Sequence, residues 1–172
     1  VQSGLTEGRD CDTISELTGL EESRIHPSTY ELQAPLSPHE AARLEGLRLD
    51  MNQFKLPTTD NNLVVEGAGG VLVPINEGAL MIDLIDQLDL PVVVVARSGL
   101  GTINHTLLTL EALRARNLEL LGVIVSGPAN SANIEAIRTY GKIKILLELE
   151  PISPLDSAGI DIAAKKLESE FT

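Results

Sequence analysis

Short runs of aliphatic residues alternate along the chain with longer segments in which apolar residues recur every three or four positions. Uniformly apolar runs are typical of buried strands, and the spaced pattern is typical of amphipathic helices. The runs lie at residues 63–65, 92–95, 123–125 and 143–147, and the helical segments at 78–88, 102–116, 133–140 and 156–167. Strands that alternate with helices predict an α/β fold, in which helices flank a parallel sheet with right-handed crossovers.

The two ends of this pattern differ from its middle. The run at 143–147 contains Lys144, which predicts a strand nearer the edge of the sheet. Before residue 60 the pattern predicts a helix at 10–20 and another that opens at Ser37, with Pro38 at a position suited to the first helical turn. The proline-containing segment between them is predicted to be irregular. A long loop in a compact domain is more often functional than accidental.

Composition narrows the possible classes of protein. With 172 residues, 43% of them apolar, the chain is long enough to bury a core, and residues 1–172 are predicted to form one domain. The formal net charge of −12 excludes a protein that coats DNA or RNA. The longest aliphatic run, 90–96, is too short to span a bilayer, and no Lys/Arg run favours a membrane surface. We expect a cytoplasmic protein, and because the chain begins at Val1 rather than at methionine, we expect it to lack the beginning of the protein.

The first candidate site follows the run at 63–65. Glu66 stands there before the glycine-rich residues 67–70. In open parallel sheets, ligands bind beyond the carboxyl ends of the strands. A carboxylate at such an end suits a hard cation such as nucleotide-borne Mg²⁺, and glycines let a ligand approach the backbone. The alternative is a surface salt bridge by Glu66, with the glycines serving a turn.

The second candidate site follows the run at 92–95. The chain passes through Gly99 and Gly101 into the helix predicted to begin at Thr102. The free N–H groups and dipole of a helix N-terminus attract a phosphate or a carboxylate. The segment is not a dinucleotide fingerprint, because Asn104 occupies the third glycine position. The alternative is that Thr102 only caps the helix.

Other candidate sites are weaker. Ser126 and Gly127 follow the run at 123–125 and form either a turn or a nucleotide contact. The three histidines share no metal-ligand spacing, so a zinc site is not expected. The phosphate loop G-x-x-x-x-G-K-[S/T] does not occur in these residues.

Five segments together resemble a known family. In chain order they read VQSG at 1–4, DCD at 10–12, APLSPHEAA at 34–42, VEGAGG at 65–70 and GLGTINH at 99–105. The set closely resembles the dethiobiotin synthetases, and the likeness runs from residue 1 to about residue 151. The resemblance implies a P-loop NTPase-like α/β fold. It also implies an ATP- and Mg²⁺-dependent ligase that carboxylates 7,8-diaminononanoate with CO₂ and closes the ureido ring of dethiobiotin, as a homodimer.

The resemblance also assigns residues to the site. Asp12 and Glu66 are implied Mg²⁺ ligands. The residues implied to bind the nucleotide are Asp12, Glu66, Gly67, Ala68, Gly69, Ser126, Gly127, Glu150, Pro151 and Ile152. Those implied to bind the substrate are Ser3, Gly70, Leu100, Gly101 and Asn104. The last three are expected to hold the distal carboxylate of the substrate from the neighbouring subunit.

The chain departs from the family in two ways. Ser126 offers one hydroxyl where the family has an asparagine that reads the adenine edge, so we expect comparable use of ATP and another nucleoside triphosphate. The family also has a strand, a phosphate loop, a helix and a second strand before the position of Val1. The lysine expected to touch substrate and phosphate lies in that unit, so no residue here is assigned as catalytic. We expect this chain alone neither to bind ATP tightly nor to hydrolyse it.

Two other functions compete with this one. The first is a non-catalytic partner or regulatory chain that keeps the fold without the phosphate loop. The second is a related P-loop amidoligase or partitioning ATPase with another substrate. The upstream coding sequence separates the first from a synthetase, because only the enzyme requires a phosphate loop there. The GLGTINH segment favours a synthetase over a partitioning ATPase, which needs no site for a substrate carboxylate.

Overall fold

The structure, a computed structural model, describes residues 1–168. These fall into two compact units, Val1–Asp89 and a second that begins at Leu90. Within residues 1–168, no helix combines the length and the apolar character needed to cross a membrane. That the chain forms one domain stays a prediction, and each unit is described by itself below.

The first unit contains two small sheets, three α-helices and three short 3-10 helices. Its strands and α-helices are β1 (Gln2–Ser3), α1 (Asp10–Thr18), β2 (Glu31–Leu32), α2 (Pro38–Leu44), β3 (Pro74–Asn76), β4 (Ala79–Leu80) and α3 (Met81–Leu88). β1 pairs with β2 in parallel, and β3 pairs with β4 antiparallel. The core of the unit includes Leu32, Leu49 and Ile75, all of them at most 1% exposed.

The helices of the first unit begin close to where the sequence predicts. Ser37 is the residue before α2, and Pro38 is within its first turn, as expected. α3 begins at Met81 rather than at residue 78, because Ala79–Leu80 form β4. The Asp83 carboxylate accepts a hydrogen bond of 2.7 Å from the Leu80 N–H, which satisfies one of the free donors at this helix start. α1 ends at Thr18, two residues before the predicted end at 20.

The strand predicted at 63–65 is wrong. These residues have no regular secondary structure, and the side chains of Val64 and Val65 are 92% and 45% exposed. A strand is stable only when a neighbour satisfies its backbone groups. No sheet within residues 1–168 includes the segment. Glu66 therefore follows an irregular, largely exposed segment and not the end of a strand.

The second unit is a three-stranded parallel sheet with helices between its strands. Its elements are β5 (Val92–Arg97), α4 (Thr102–Ala115), β6 (Leu120–Ser126), α5 (Ser131–Gly141), β7 (Ile145–Leu149) and α6 (Ser157–Glu168). The strand order is β5-β6-β7, which confirms the α/β class and the edge position predicted for the run at 143–147. β7 begins two residues later than predicted.

One face of this sheet carries the core of the second unit. Val123 from β6, Leu110 from α4 and Ile137 from α5 are each 0% exposed and belong to the same apolar cluster. The uniformly apolar run in β5 predicts a strand covered on both faces, and this is wrong for Val95, which is 67% exposed. Hydropathy marks the strand correctly, but it does not show which of its faces is covered in the described residues.

Candidate functional site

A cleft of about 430 Å³ opens at the carboxyl ends of β5 and β6. The two strands are in register there, with Arg97 opposite Ser126, so the loops that follow them begin side by side. The lining residues are Arg97, Ser98, Gly99, Leu100, Ser126, Gly127, Pro128, Ala129 and Asn130. The structure thus brings together three predicted site residues, Leu100, Ser126 and Gly127. Ligands of open parallel sheets bind at this edge.

Two backbone hydrogen bonds hold Ser98 in the lining of this cleft. Its N–H donates to the Ser126 carbonyl oxygen at 3.1 Å, and its own carbonyl oxygen accepts from Asn133 Nδ2 at 2.9 Å. The residue is 4% exposed, although it belongs to the cleft lining. Within residues 1–168 its hydroxyl makes no hydrogen bond to protein. The side chain is therefore a polar group fixed in place and available to a ligand.

Gly127 lies directly beside the Ser98 side chain. Its φ is +136°, a conformation that residues with a side chain rarely adopt, and a Cβ there would stand 2.4 Å from Ser98 Oγ. The Gly127 N–H donates to the Leu149 carbonyl oxygen at 2.9 Å, which ties the loop after β6 to the end of β7. Only glycine fits this position, and its bare backbone lets a ligand come close.

Thr102 does not cap α4, contrary to the alternative considered for this segment. Gly101, at φ +89°, is the residue before the helix, and no side chain caps it. Thr102 Oγ1 donates instead to the Arg97 carbonyl oxygen, which joins the helix start to the end of β5. Leu100 is fully exposed, and Asn104 is exposed with no side-chain partner in the described part of the chain. Gly101 and Asn104 lie outside the cleft lining.

The predicted residues after β7 lie at the same edge of the sheet but not in the cleft lining. Glu150 and Pro151 are exposed and Ile152 is half-buried. Ile152 packs on the start of α6, because a Cβ on Gly159 would stand 2.4 Å from Ile152 Cγ2. A contact of these residues with a nucleotide stays a prediction.

In the first unit, Gln2 fixes the start of the helix that carries Asp12. Its buried side chain donates from Nε2 to the Gly8 carbonyl oxygen at 3.1 Å and accepts at Oε1 from the Asp10 N–H at 3.3 Å. Asp12 is exposed in the first turn of α1. Ser3 is half-buried in β1, opposite Leu32.

In the described residues the Asp12 carboxylate forms no ion pair, although the Arg9 guanidinium is near enough to feel its charge. The Glu31 carboxylate raises the pKa of the Arg9 guanidinium above its usual value, chiefly through their hydrogen bond, and Asp12 adds a smaller charge effect. In the described residues Asp12 has no ion pair or side-chain hydrogen bond of its own. Its carboxylate oxygens are therefore available to a ligand.

The glycine-rich segment 67–70 packs close to α3. A Cβ on Gly67 would stand 2.8 Å from Met81 Sδ, and Gly69 has a φ of +76° with Val73 Cγ2 3.2 Å from its Cβ position. Ala68 is partly buried against the core of the first unit. Gly70 is exposed and has open space around its Cβ position. Gly67 and Gly69 thus lie close to neighbouring side chains, and Gly70 is held through its carbonyl oxygen, which accepts from the Val73 N–H at 2.9 Å.

Glu66 is exposed and has no ion pair within residues 1–168. The surface salt bridge that was the alternative role for Glu66 therefore does not form with any of these residues. The described residues contain no group of three or more His, Cys, Asp or Glu side chains that could hold a metal by themselves. Mg²⁺ that arrives with a nucleotide needs only one or two protein carboxylates, since phosphates and water complete its shell. Two exposed carboxylates, Asp12 and Glu66, fit that requirement, and their joint role stays a prediction.

Several lining residues of the cleft are absent from the predicted site. Arg97 and Ser98 directly follow a predicted strand, which is a usable signal, but glycines and carboxylates drew the prediction to later positions. Asn130 is the residue before α5, and its Oδ1 accepts from the Asn133 N–H at 3.1 Å. An asparagine that precedes a helix in this way is recognisable in sequence. Its position beside a cleft is visible only in the structure.

Comparison with known proteins gives consistent results. The profile of the AAA domain family AAA_26 matches residues 1–158. The ATP-dependent dethiobiotin synthetase BioD of Paramagnetospirillum magneticum is 55% identical over 160 residues, which cover 93% of this chain and 77% of that protein. The protein of the same name from Lawsonia intracellularis is 48% identical, over 90% of this chain and 74% of its own. The biotin biosynthesis bifunctional protein BioCD of Bordetella avium is 51% identical over 97% of this chain and 36% of its own.

Proposed function

Since this chain belongs to the dethiobiotin synthetase family, we propose that it provides nucleotide and substrate sites for the ATP-dependent formation of dethiobiotin in biotin biosynthesis. CO₂ adds to one amine of 7,8-diaminononanoate to give a carbamate. ATP then phosphorylates the carbamate, and the second amine displaces phosphate to close the ureido ring. The observation that carries the proposal is the 55% identity to a protein of this name over 93% of the chain.

In this proposal the cleft at β5 and β6 receives the base of the nucleotide. Ser126 contributes a hydroxyl, and Gly127 contributes a backbone that a flat ring can approach. Asp12 and Glu66 would hold Mg²⁺, which when bound neutralises charge on the phosphates during transfer. The segment 67–70 would place backbone N–H groups near phosphate and substrate. Positioning and charge neutralisation dominate such a phosphoryl transfer.

The proposal assigns the substrate contacts to Ser3 and to residues of a second copy of the chain. Ser3 would lie near the reacting amines. Leu100, Gly101 and Asn104 would bind the distal carboxylate of a substrate held by the partner of a homodimer. The full exposure of Leu100 and the free side chain of Asn104 in the described residues support this role, because both are accessible to another subunit. The N-terminus of α4 adds a favourable field for an anion.

The decisive experiment is an assay of the full-length protein with 7,8-diaminononanoate, bicarbonate, ATP and Mg²⁺. We expect dethiobiotin to form together with ADP and phosphate, and we expect no product when any one component is left out. A folded protein that gives no dethiobiotin under conditions in which a known synthetase does so would contradict the proposal. The net charge of −12 supports the further prediction of no nucleic-acid or membrane partner, and a cytoplasmic location stays a prediction.

The 172-residue chain by itself is expected to bind Mg-ATP weakly. Its sequence contains no phosphate loop, so the amides and the lysine that usually cradle the β- and γ-phosphates are not among its residues. Calorimetric titration of this chain with Mg-ATP should therefore give a Kd well above the micromolar range. The full-length protein, titrated in parallel, serves as the control. A micromolar Kd for the 172-residue chain would contradict the prediction.

A further inference from the structure

We propose that Ser98 is a second specificity-determining residue of the nucleotide site, and that its hydroxyl hydrogen-bonds the base beside Ser126. The inference rests on the proposed function, which places the base at Ser126 and Gly127. It adds a residue to that site and a consequence for selectivity. With two serine hydroxyls at its edge, the site accepts a purine that carries either an amino or a keto group.

The first support is the fixed position of Ser98. Hydrogen bonds to the Ser126 carbonyl oxygen and from Asn133 Nδ2 hold its backbone on both sides. Because the residue is 4% exposed, its side chain has little room apart from rotation of the hydroxyl. A group that is fixed before the ligand binds loses little entropy on binding, which favours affinity.

The second support is that the Ser98 hydroxyl has no protein partner in the described residues. Leaving a buried hydroxyl without any hydrogen bond costs about 1–3 kcal/mol. No side-chain oxygen or nitrogen within residues 1–168 is both fully enclosed and unpaired, so this Oγ keeps contact with the cleft. A ligand that covers this hydroxyl excludes water from it and must therefore supply a hydrogen bond in return.

The third support is the chemistry of the lining, which suits a flat, neutral ring with a polar edge. Pro128 offers apolar surface for the face of a ring, and Gly127 leaves its backbone open to close approach. No carboxylate lines the cleft. The hydroxyls of Ser98 and Ser126 then meet the edge of the ring.

Hydroxyl chemistry determines the selectivity. A serine hydroxyl donates one hydrogen bond and accepts others, and it rotates to suit its partner. The adenine edge presents an amino donor and a ring-nitrogen acceptor, whereas the guanine edge presents a keto acceptor and an N–H donor. Two rotating hydroxyls satisfy both arrangements. Arg97, which also lines the cleft, can only donate and adds no discrimination against a keto group.

The test measures the steady-state kinetics of the full-length protein with Mg-ATP and Mg-GTP. In the wild type we expect the two kcat/KM values to agree within about threefold. Ser98→Ala should raise KM for both nucleotides about five- to tenfold, the loss of one hydrogen bond to a neutral partner, and should leave kcat within about twofold. Ser98→Cys replaces the hydroxyl with a slightly larger thiol, which is only a weak hydrogen-bonding group, and it should raise KM in the same way. Ser131→Ala, the same change at an exposed residue outside the lining, should leave all values unchanged.

Two outcomes overturn the inference while leaving the proposed function intact. One is that Ser98→Ala and Ser98→Cys both form dethiobiotin with KM values for ATP and for GTP within twofold of the wild-type values. The other is a strong preference of the wild type for ATP over GTP in direct competition. If the wild type makes no dethiobiotin, the proposed function fails. Calorimetric titration of the wild type and of Ser98→Ala with ATP and with GTP then tests the inference by comparing their Kd values. If the wild type fails to bind one of the two nucleotides, the inference is overturned as well.

Discussion

Glu66→Gln is expected to lower kcat for dethiobiotin formation by at least about 100-fold in the full-length protein, and to raise the Mg²⁺ concentration that gives half-maximal rate. The change keeps the size of the side chain and removes the charge that a hard cation requires. Because Glu66 is exposed and has no ion pair within residues 1–168, the melting temperature should not fall. Loss of activity without loss of stability is the signature of a metal ligand.

The control for this variant is Asp60→Asn, which removes an exposed carboxylate from the same irregular segment. It should keep kcat within about twofold of the wild type. Glu66→Asp, which retains the charge on a shorter side chain, should recover part of the activity at high Mg²⁺. If Glu66→Gln keeps more than a third of the activity with an unchanged Mg²⁺ requirement, Glu66 is not a metal ligand.

Gly127→Ala is expected to destabilise the protein by about 2–4 kcal/mol. The new side chain strains the backbone, and its Cβ clashes with the Ser98 side chain. The φ of +136° disfavours any side chain, and the Cβ would stand 2.4 Å from Ser98 Oγ and 3.3 Å from Ser98 Cβ. The displaced loop should also close part of the cleft and raise KM for the nucleotide. Thermal or urea unfolding with kinetics on the same preparation measures both effects.

Gly99→Ala is the matched control for stability. Gly99 lies in the same cleft lining, its φ is outside the left-handed region, and nothing lies within 4 Å of its Cβ position. Its melting temperature should match or slightly exceed that of the wild type. The double variant Gly127→Ala/Ser98→Ala removes the contact with Oγ and should recover part of the lost stability. Equal unfolding energies for Gly127→Ala and the wild type would show that the loop accepts a side chain.

Parts of the fold that depend on local sequence were predictable. The run at 92–95 lies within β5 and the run at 123–125 within β6, and Thr102 begins α4 as predicted. Each of these elements combines a strong hydropathy pattern with a packing or pairing partner that is near in sequence. The run at 63–65 has an equally strong pattern, but strand formation also requires a hydrogen-bonding neighbour, which no periodicity reveals.

The candidate site was predictable to the extent that it depends on strand ends. Leu100, Ser126 and Gly127 converge because parallel neighbours place their carboxyl ends at one edge. Ser98 was missed because its importance depends on distant contacts. Asn133 is 35 residues away in sequence, and Gly127 reaches Ser98 only through the register of β5 with β6. A lone serine after a strand carries no local sign of either contact.

The strands of the second unit lie in the sheet in the same order as in the chain, β5, β6 and β7. Each strand therefore joins an edge that already exists, and none has to enter between two paired strands. Each pairing joins strands that follow one another in the chain, so the conformational entropy lost in closing the loop between them is modest. The sheet can grow in the direction of synthesis, one strand at a time, as the chain leaves the ribosome. The cleft takes shape when β6 docks on β5, and the loop after β6 is secured once the Gly127 N–H donates to the Leu149 carbonyl oxygen at the end of β7.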